Sequence, residues 1–249
     1  MRQSNLYVIL FAAGLTIVFG GALSLASVGL KPLQDKQVEI DTKKKILGAV
    51  MDISAIEDPN ELLALYSEKV SSVVVDISGN EIKEDKDGNP LIAEKVNIQK
   101  NSKLDPNERL YPVFMFSETG DEIDSYIFPT FGAGLWDWIS GFVALGQDLN
   151  TVQGVAFDHK GETPGLGARI TEATVQQRYV GKKIFNENGD LVSIMMLKGE
   201  GNAGLNDHQV DGMSGATITG KGVNAMLESY LGFYQAFIDK RKSQKVASL

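Results

Sequence analysis

The sequence predicts an α+β fold, a twisted and mostly antiparallel sheet with helices packed on it, preceded by one N-terminal transmembrane helix. Three observations predict it. Leu6 to Leu30 is a 25-residue run without a charge, longer than the ~20 residues a helix needs to cross a bilayer. Between Val73 and Phe157, short β-branched and aromatic runs alternate with turn signals, as strands of a sheet do. Near the C-terminus, Val223, Met226, Leu227, Tyr230, Leu231, Tyr234, Phe237 and Ile238 recur at helical period, one apolar stripe made to pack on such a sheet.

The N-terminal run contains only small polar residues, Thr16, Ser24 and Ser27. It exceeds the ~7–15 residues of a signal-peptide core, so it reads as an uncleaved anchor. Lys31, Lys36, Lys43, Lys44 and Lys45 follow it, and a bare count of positive charge places the following chain in the cytoplasm. Acidic Asp35, Glu39 and Asp41 lie among them, and long domains are translocated largely regardless of charge. The side of the membrane stays open on charge alone.

Pro32 to about Met51 reads as helix. A second helix is expected from Pro59 to about Val70, with Asp58 as its cap and Pro59 in its first turn. Val73 to Ile77 reads as a strand, Lys86-Asp87-Gly88-Asn89 as a turn, and Leu91 to Ile98 as another strand. Arg109 to Phe116 is a strand in which Pro112 suggests a sheet edge. Glu118 to Asp121 turns the chain and Ile123 to Phe128 continues the sheet. Gly154 to Phe157 is a strand, Thr171 to Tyr179 a helix, Asn188-Gly189 a hairpin signal, and Lys198 to Gly204 a mobile-looking glycine-rich loop.

Three stretches stand out as places where a ligand can approach the backbone. Phe131-Gly-Ala-Gly-Leu135-Trp136-Asp137-Trp138 pairs glycines with an apolar Leu-Trp face. Asp158-His-Lys-Gly-Glu162-Thr163-Pro-Gly-Leu166-Gly167 is a long loop with free amides. Asp211-Gly-Met-Ser214-Gly215-Ala216-Thr217-Ile-Thr219 leads into the amphipathic helix, so its hydroxyls stand ahead of a helix N-terminus. Unpaired N–H groups and the positive dipole end favour an anion there, phosphate above all. Each also has a plain structural reading: a loosened turn with a core tryptophan, a Pro/Gly loop, and a Ser/Thr cap.

Composition removes several functions. Lys+Arg 24 against Asp+Glu 32 leaves a net charge of −8 with no basic stripe, which argues against a nucleic-acid partner. With no cysteine there is no disulfide, thiolate-bound zinc or iron–sulfur cluster, so redox chemistry would need a bound organic cofactor. Two histidines, His159 and His208, are too few for a His-rich metal site, and no base stands near Thr217 in sequence for a hydrolytic role. No metal ligands and no catalytic residues are assigned.

GAGLWDW, HKGETPGLGARI and HQVDGMSGATITGKGV together carry a resemblance. They are similar to the FMN-binding domain of the C-subunit family of the sodium-translocating NADH:quinone oxidoreductase, with which the G-subunit of the Rnf electron-transport complex shares much of the pattern. YPVFMF followed by FGAGLW is closer to the sodium pump. The resemblance implies covalent FMN, bonded through its phosphate to Thr217. It implies that Asp211 and Ser214 are read by a flavin transferase, and that Gly215 and Ala216 leave room for the phosphate and ribityl chain. Leu135, Trp136, Thr163 and Leu166 would surround the flavin, Glu162 and Gly167 complete the second motif, and Lys198 supplies a cation near the phosphate. The same resemblance implies residues 1–31 as an anchor in membrane lipid and residues 32–249 as an extracytoplasmic domain, with the FMN-binding region at about 125–240. The chain would relay electrons toward quinone, coupled to sodium export, as one part of an NADH:ubiquinone reductase with no complete activity alone. Other subunits would hold the NADH site, the quinone site and the ion path, since the anchor carries no ionisable residue. Two competing readings are the Rnf-type protein with the same FMN, and a non-redox anchored binding or assembly domain.

Overall fold

The structure, a computed structural model, describes residues 4–247. It divides into two compact units, the first ending at Asp41 and the second beginning at Thr42. In the first unit, helix α1 (Asn5–Gly48) runs through Pro32 without a break. It is the one helix among the described residues that is long and apolar enough to cross a membrane. Its apolar side chains from Leu6 to Leu33 stand exposed, the arrangement a lipid-facing helix requires. Past residue 31 the surface turns polar, with Lys31 paired to Asp35 at 3.3 Å and Gln37 donating to Asp41 at 3.1 Å.

The second unit opens with the last turns of α1, which bury Ile46 and Leu47. Lys45 pairs with Asp158 at 2.5 Å. Helix α2 (Pro59–Lys69) is capped as expected: Asp58 accepts from the Asn60 N–H at 2.8 Å, and Leu62 and Tyr66 are buried. Five strands follow, β1 (Val70–Val75), β2 (Tyr111–Phe116), β3 (Ser125–Ala133), β4 (Trp138–Gly146) and β5 (Val152–His159). They lie in sequence order, and every neighbouring pair is antiparallel. A short parallel pair, β6 (Met195–Met196) with β7 (Gln209–Val210), stands apart from this sheet. The antiparallel sheet with packed helices, and the apolar helix before it, are as the sequence predicts.

Helix α5 (Thr217–Ala247) lies against the sheet at β3. All eight residues of its predicted stripe are buried. Phe128 of β3 meets Tyr234 at 4.8 Å and Phe237 at 6.2 Å between ring centroids. Where the two elements come closest, a Cβ on Gly222 would collide with the Ala133 carbonyl.

Several sequence expectations change. Leu91 to Ile98 is not a strand: it forms a 3-10 turn at Ala93–Lys95, and Asn97 then caps the short helix α3 (Ile98–Asn101) by accepting from the Lys100 N–H at 2.8 Å. Pro112 is not on an edge strand, because β2 lies between β1 and β3. It is tolerated because β3 pairs only with Phe114 to Phe116, so no ladder bond is missing at Pro112, whose carbonyl accepts from the Tyr234 hydroxyl at 2.8 Å. The Thr171–Tyr179 region is broken into a 3-10 turn (Gly167–Thr171), the short helix α4 (Ala173–Gln176) and a further 3-10 turn (Gln177–Tyr179). Around Asn188-Gly189 the chain does turn back, with one bridge from Phe185 to Leu191, but no extended ladder forms.

Two glycines of α5 should respond oppositely to alanine. Gly232 has open space around it, so Gly232→Ala should raise stability by about 0.5–1 kcal/mol through helix propensity. Gly222→Ala should lower it by roughly 1–3 kcal/mol, the usual cost of overpacking, because β3 and α5 must separate. Thermal unfolding of the two variants in detergent checks the difference in sign.

Candidate functional site

The three ligand-approach stretches converge at one end of the sheet. The first is the tight connection between β3 and β4, where the Gly134 N–H closes on the Asp137 carbonyl at 2.8 Å. The second is the loop leaving β5, and the third is the turn that enters α5. What joins them is Glu162, only 4% exposed. Its Oε1 accepts from the Leu135 N–H at 2.7 Å and the Trp136 N–H at 3.1 Å. Its Oε2 accepts from the Thr219 hydroxyl at 2.5 Å. Its own N–H donates to Nδ1 of His159 at 3.2 Å. Every group bonded to the carboxylate is a donor, which is how a buried carboxylate is made tolerable.

Two glycines make room for this carboxylate. A Cβ on Gly134 would strike Oε1, and one on Gly167 would strike Oε2 and the Thr219 hydroxyl. Gly134 and Gly167 thus serve packing around a side chain. The sequence places the Thr219 hydroxyl ahead of the helix. In the structure Thr219 lies inside the first turn and is buried at 1% exposure, so it is a structural partner of Glu162.

Above this brace the surface is apolar. Leu135, Trp136, Leu166 and Ile218 are all exposed, Trp136 to 70%. The indole N–H of Trp136 donates to the Thr163 hydroxyl at 3.2 Å, joining the first two loops at the surface. Leu166 fills the space where a Cβ on Gly215 would lie, so the second loop packs on the third. Gly215 takes φ +73°, a left-handed conformation suited to glycine, and Ala216 is buried just after it. Thr217 is the first residue of α5 and partly exposed. The opening N–H groups of a helix lack intrahelical partners, and here the first internal bond is Gly220 N–H to the Ala216 carbonyl at 2.9 Å.

The Lys198–Gly204 loop is more ordered than its glycines suggest. The Asp211 carboxylate accepts from the Gly201 and Asn202 N–H groups, each at 2.9 Å, and from Asn202 Nδ2 at 2.8 Å. Burial pushes the Asp211 carboxyl up, but these donors outweigh it and hold it below the usual range. Lys198 itself is exposed, and its carbonyl accepts from Asn202 Nδ2 at 3.2 Å.

Three residues near the site are given no role by sequence reasoning, although Arg169 lies in the second motif. Arg169 makes two bonds to Glu200, at 3.0 and 2.9 Å. Arg178 donates to Glu200 at 2.8 Å, to the Asp211 carbonyl at 3.2 Å and to the Gly212 carbonyl. The Arg169 and Arg178 guanidiniums, with the Ser214 N–H, hold the Glu200 carboxyl down at about 2. The ARI that ends the second motif is the only local signal for Arg169. Nothing local marks Arg178 or Glu200, whose meeting depends on the fold.

Glu162→Gln should destabilise the fold by roughly 1–3 kcal/mol, since an amide nitrogen must then face a donor. Amide exchange at Leu135 and Trp136 should rise in that variant. Equal exchange in both proteins would show that the carboxylate does not hold the connection. The Glu200 bridge should follow pH with a fixed sign. A carboxyl held down on folding contributes stability above its unfolded value and loses it as pH falls through the folded one. Amide protection over residues 212–214, held through Arg178, should therefore persist at pH 5 and fall as pH approaches about 2.

Comparison with known proteins agrees with this geometry. The family described as the FMN-binding domain matches residues 134–232, from the Gly134 connection through most of α5. The C-subunit of the Na(+)-translocating NADH-quinone reductase from Pseudomonas aeruginosa is 32% identical, with 93% of each chain covered. The Vibrio parahaemolyticus protein of that name is 33% identical over 88% of this chain and 87% of its own. Among solved structures, the C-subunit of the same reductase from Parabacteroides distasonis superposes with a TM-score of 0.70 at 32% identity, covering 84% of this chain and 96% of that one. Shewanella oneidensis NqrC gives a TM-score of 0.69 at 26% identity, covering 83% and 99%. With relatives this similar over nearly its whole length and the same architecture, the chain belongs to the NqrC family, the C-subunits of the Na+-translocating NADH-quinone reductase.

Proposed function

We propose that this protein holds FMN bonded through its phosphate to the Thr217 hydroxyl, and relays electrons toward quinone in a reductase that exports sodium. The observation that carries the reading is that Thr217 opens a long helix directly beside an exposed apolar surface. The residues present fit the two ends of FMN. At the phosphate end, the first turn of α5 offers unpaired N–H groups and the positive end of the dipole. The Gly215 turn and the small Ala216 keep side-chain bulk away from the hydroxyl. At the ring end, Leu135, Trp136 and Leu166 present apolar surface to a flat ring, and Thr163 supplies a polar group among them.

FMN supplies reversible uptake and release of electrons when bound. The protein contributes position. Glu162 ties the Leu135–Trp136 connection to α5, so the surface for the ring and the attachment point belong to one braced unit. Gly167 supports the brace by admitting the carboxylate. Lys198 supplies a cation on the adjoining loop. Attachment forms a bond between Thr217 Oγ and phosphorus, and a flavin nucleotide with a phosphoanhydride is the reagent that makes it favourable. A nucleoside monophosphate leaves from phosphorus and the hydroxyl proton goes to solvent. A flavin transferase would read Asp211 and Ser214 for this step.

The α1 residues through Leu30 lie in lipid as the anchor, and the FMN-bearing domain, residues 32–249, lies outside the cytoplasm. The covalent link suits that side, because a bonded cofactor is not lost by dissociation. Sodium coupling, NADH oxidation and quinone reduction require the partner subunits, since the membrane-spanning run holds no ionisable side chain.

Intact mass of the chain coexpressed with its flavin transferase tests the attachment. The wild type should gain the mass of FMN less one water, localised to the peptide containing Thr217, and Thr217→Ala should remain bare. A bare wild-type chain, or an adduct that persists in Thr217→Ala, overturns the assignment.

A further inference from the structure

We infer that Glu200 and Arg178, supported by Arg169, are positioning residues that hold the Asp211–Ser214 segment in the conformation required for modification of Thr217. The inference rests on the proposed attachment site and assigns its support to Glu200 and Arg178, which lie outside the recognised motifs, and to Arg169 at the end of the second.

Two bonds from one arginine hold the backbone of this segment. Arg178 donates through one guanidinium nitrogen to the carbonyls of Asp211 and Gly212. Its other terminal nitrogen binds Glu200 at 2.8 Å. Glu200 is thereby shared between Arg178 and Arg169. The backbone just before Met213 is therefore tied through two carbonyls to an ion pair. Met213 is itself buried, at 2% exposure. Arg169 completes the arrangement with a two-bond fork onto Glu200 at 3.0 and 2.9 Å, a geometry that fixes direction as well as distance.

The need for such a device follows from the local chain. Gly212 and Gly215 flank Met213 and Ser214, and glycine leaves the unfolded backbone the most freedom to lose. Gly212 is also pressed against the Leu197 and Gly199 carbonyls so closely that no Cβ fits. Without added bonds, such a segment would sample several conformations, and an enzyme modifying Thr217 would meet the reactive one only part of the time. The Asp211 carboxylate already holds the 201–202 amides. The arginine–Glu200 pair acts on the backbone that leads toward the acceptor hydroxyl, at the Asp211 and Gly212 carbonyls. Glu200, Arg169 and Arg178 are each 20–30% exposed by side chain, so they remain open to solvent and are not part of the core.

The test uses the full chain in detergent, first without flavin and then coexpressed with the transferase. In the unmodified chain, Glu200→Gln and Arg178→Gln should each speed amide exchange at Gly212 to Ala216 at least tenfold. Residues 223–238 of α5 should keep their protection. On coexpression, the rate at which the Thr217 peptide gains its adduct should fall at least fivefold in both variants. Arg241→Gln, which breaks a remote pair with Glu81, should change neither readout. Unchanged exchange at 212–216, or loss of protection throughout α5, overturns the positioning role. Faster exchange with an unaltered modification rate overturns its link to attachment. If the wild type itself gains no adduct, the attachment reading fails, and the exchange arm still decides whether the ion pair holds the segment.

Discussion

The buried carboxylate of Glu162 is the constraint on which the site depends. A carboxylate this enclosed is tolerable only with donors on both oxygens. The fold supplies them from a strand connection and from a helix. Satisfying one side chain thereby fixes where two distant parts of the chain meet. Gly134 and Gly167 follow from the same requirement, because the oxygens occupy the space that their side chains would take. Much of the glycine in these motifs thus answers to an internal side chain, and only part of it to an external ligand.

The rigid support beneath is the contact of α5 with the sheet. Its aromatic and aliphatic stripe is buried along its length against β3 and neighbouring elements. Thr217 starts the same helix whose later turns form the core. Local movement at Thr217 is therefore resisted by packing several turns away. The chain leading into the helix is held by the Asp211 carboxylate on the 201–202 amides and by Arg178 on the Asp211 and Gly212 carbonyls.

The parts of this arrangement visible in the sequence are those with a short period or a local motif. The stripe from Val223 to Ile238, the Asp58 cap and the uncharged N-terminal run each depend on residues within a few turns of one another. Leu91–Ile98 misleads because its apolar residues resemble a strand, yet pairing stops at Leu91, whose N–H donates to the Lys83 carbonyl; Asn97 instead starts a helix. Pro112 misleads because the rule against proline within a sheet assumes full pairing on both sides, and β3 pairs with only half of β2. Arg178 and Glu200 are invisible for a third reason: they lie 22 residues apart, and only the fold brings them to the same turn. The three motif stretches do converge, but which residues touch a ligand and which hold the others in place is not separable by sequence.

The Trp136–Thr163 bond has a practical consequence. The chain has two tryptophans, and both belong to the β3–β4 connection, Trp136 at its exposed tip and Trp138 at the start of β4. All of its indole fluorescence therefore arises within one hairpin, at the mouth of the site. The emission needs no label to be local, and a chromophore resting on that surface would quench it by resonance energy transfer. The protein carries its own optical gauge of whether the surface is covered.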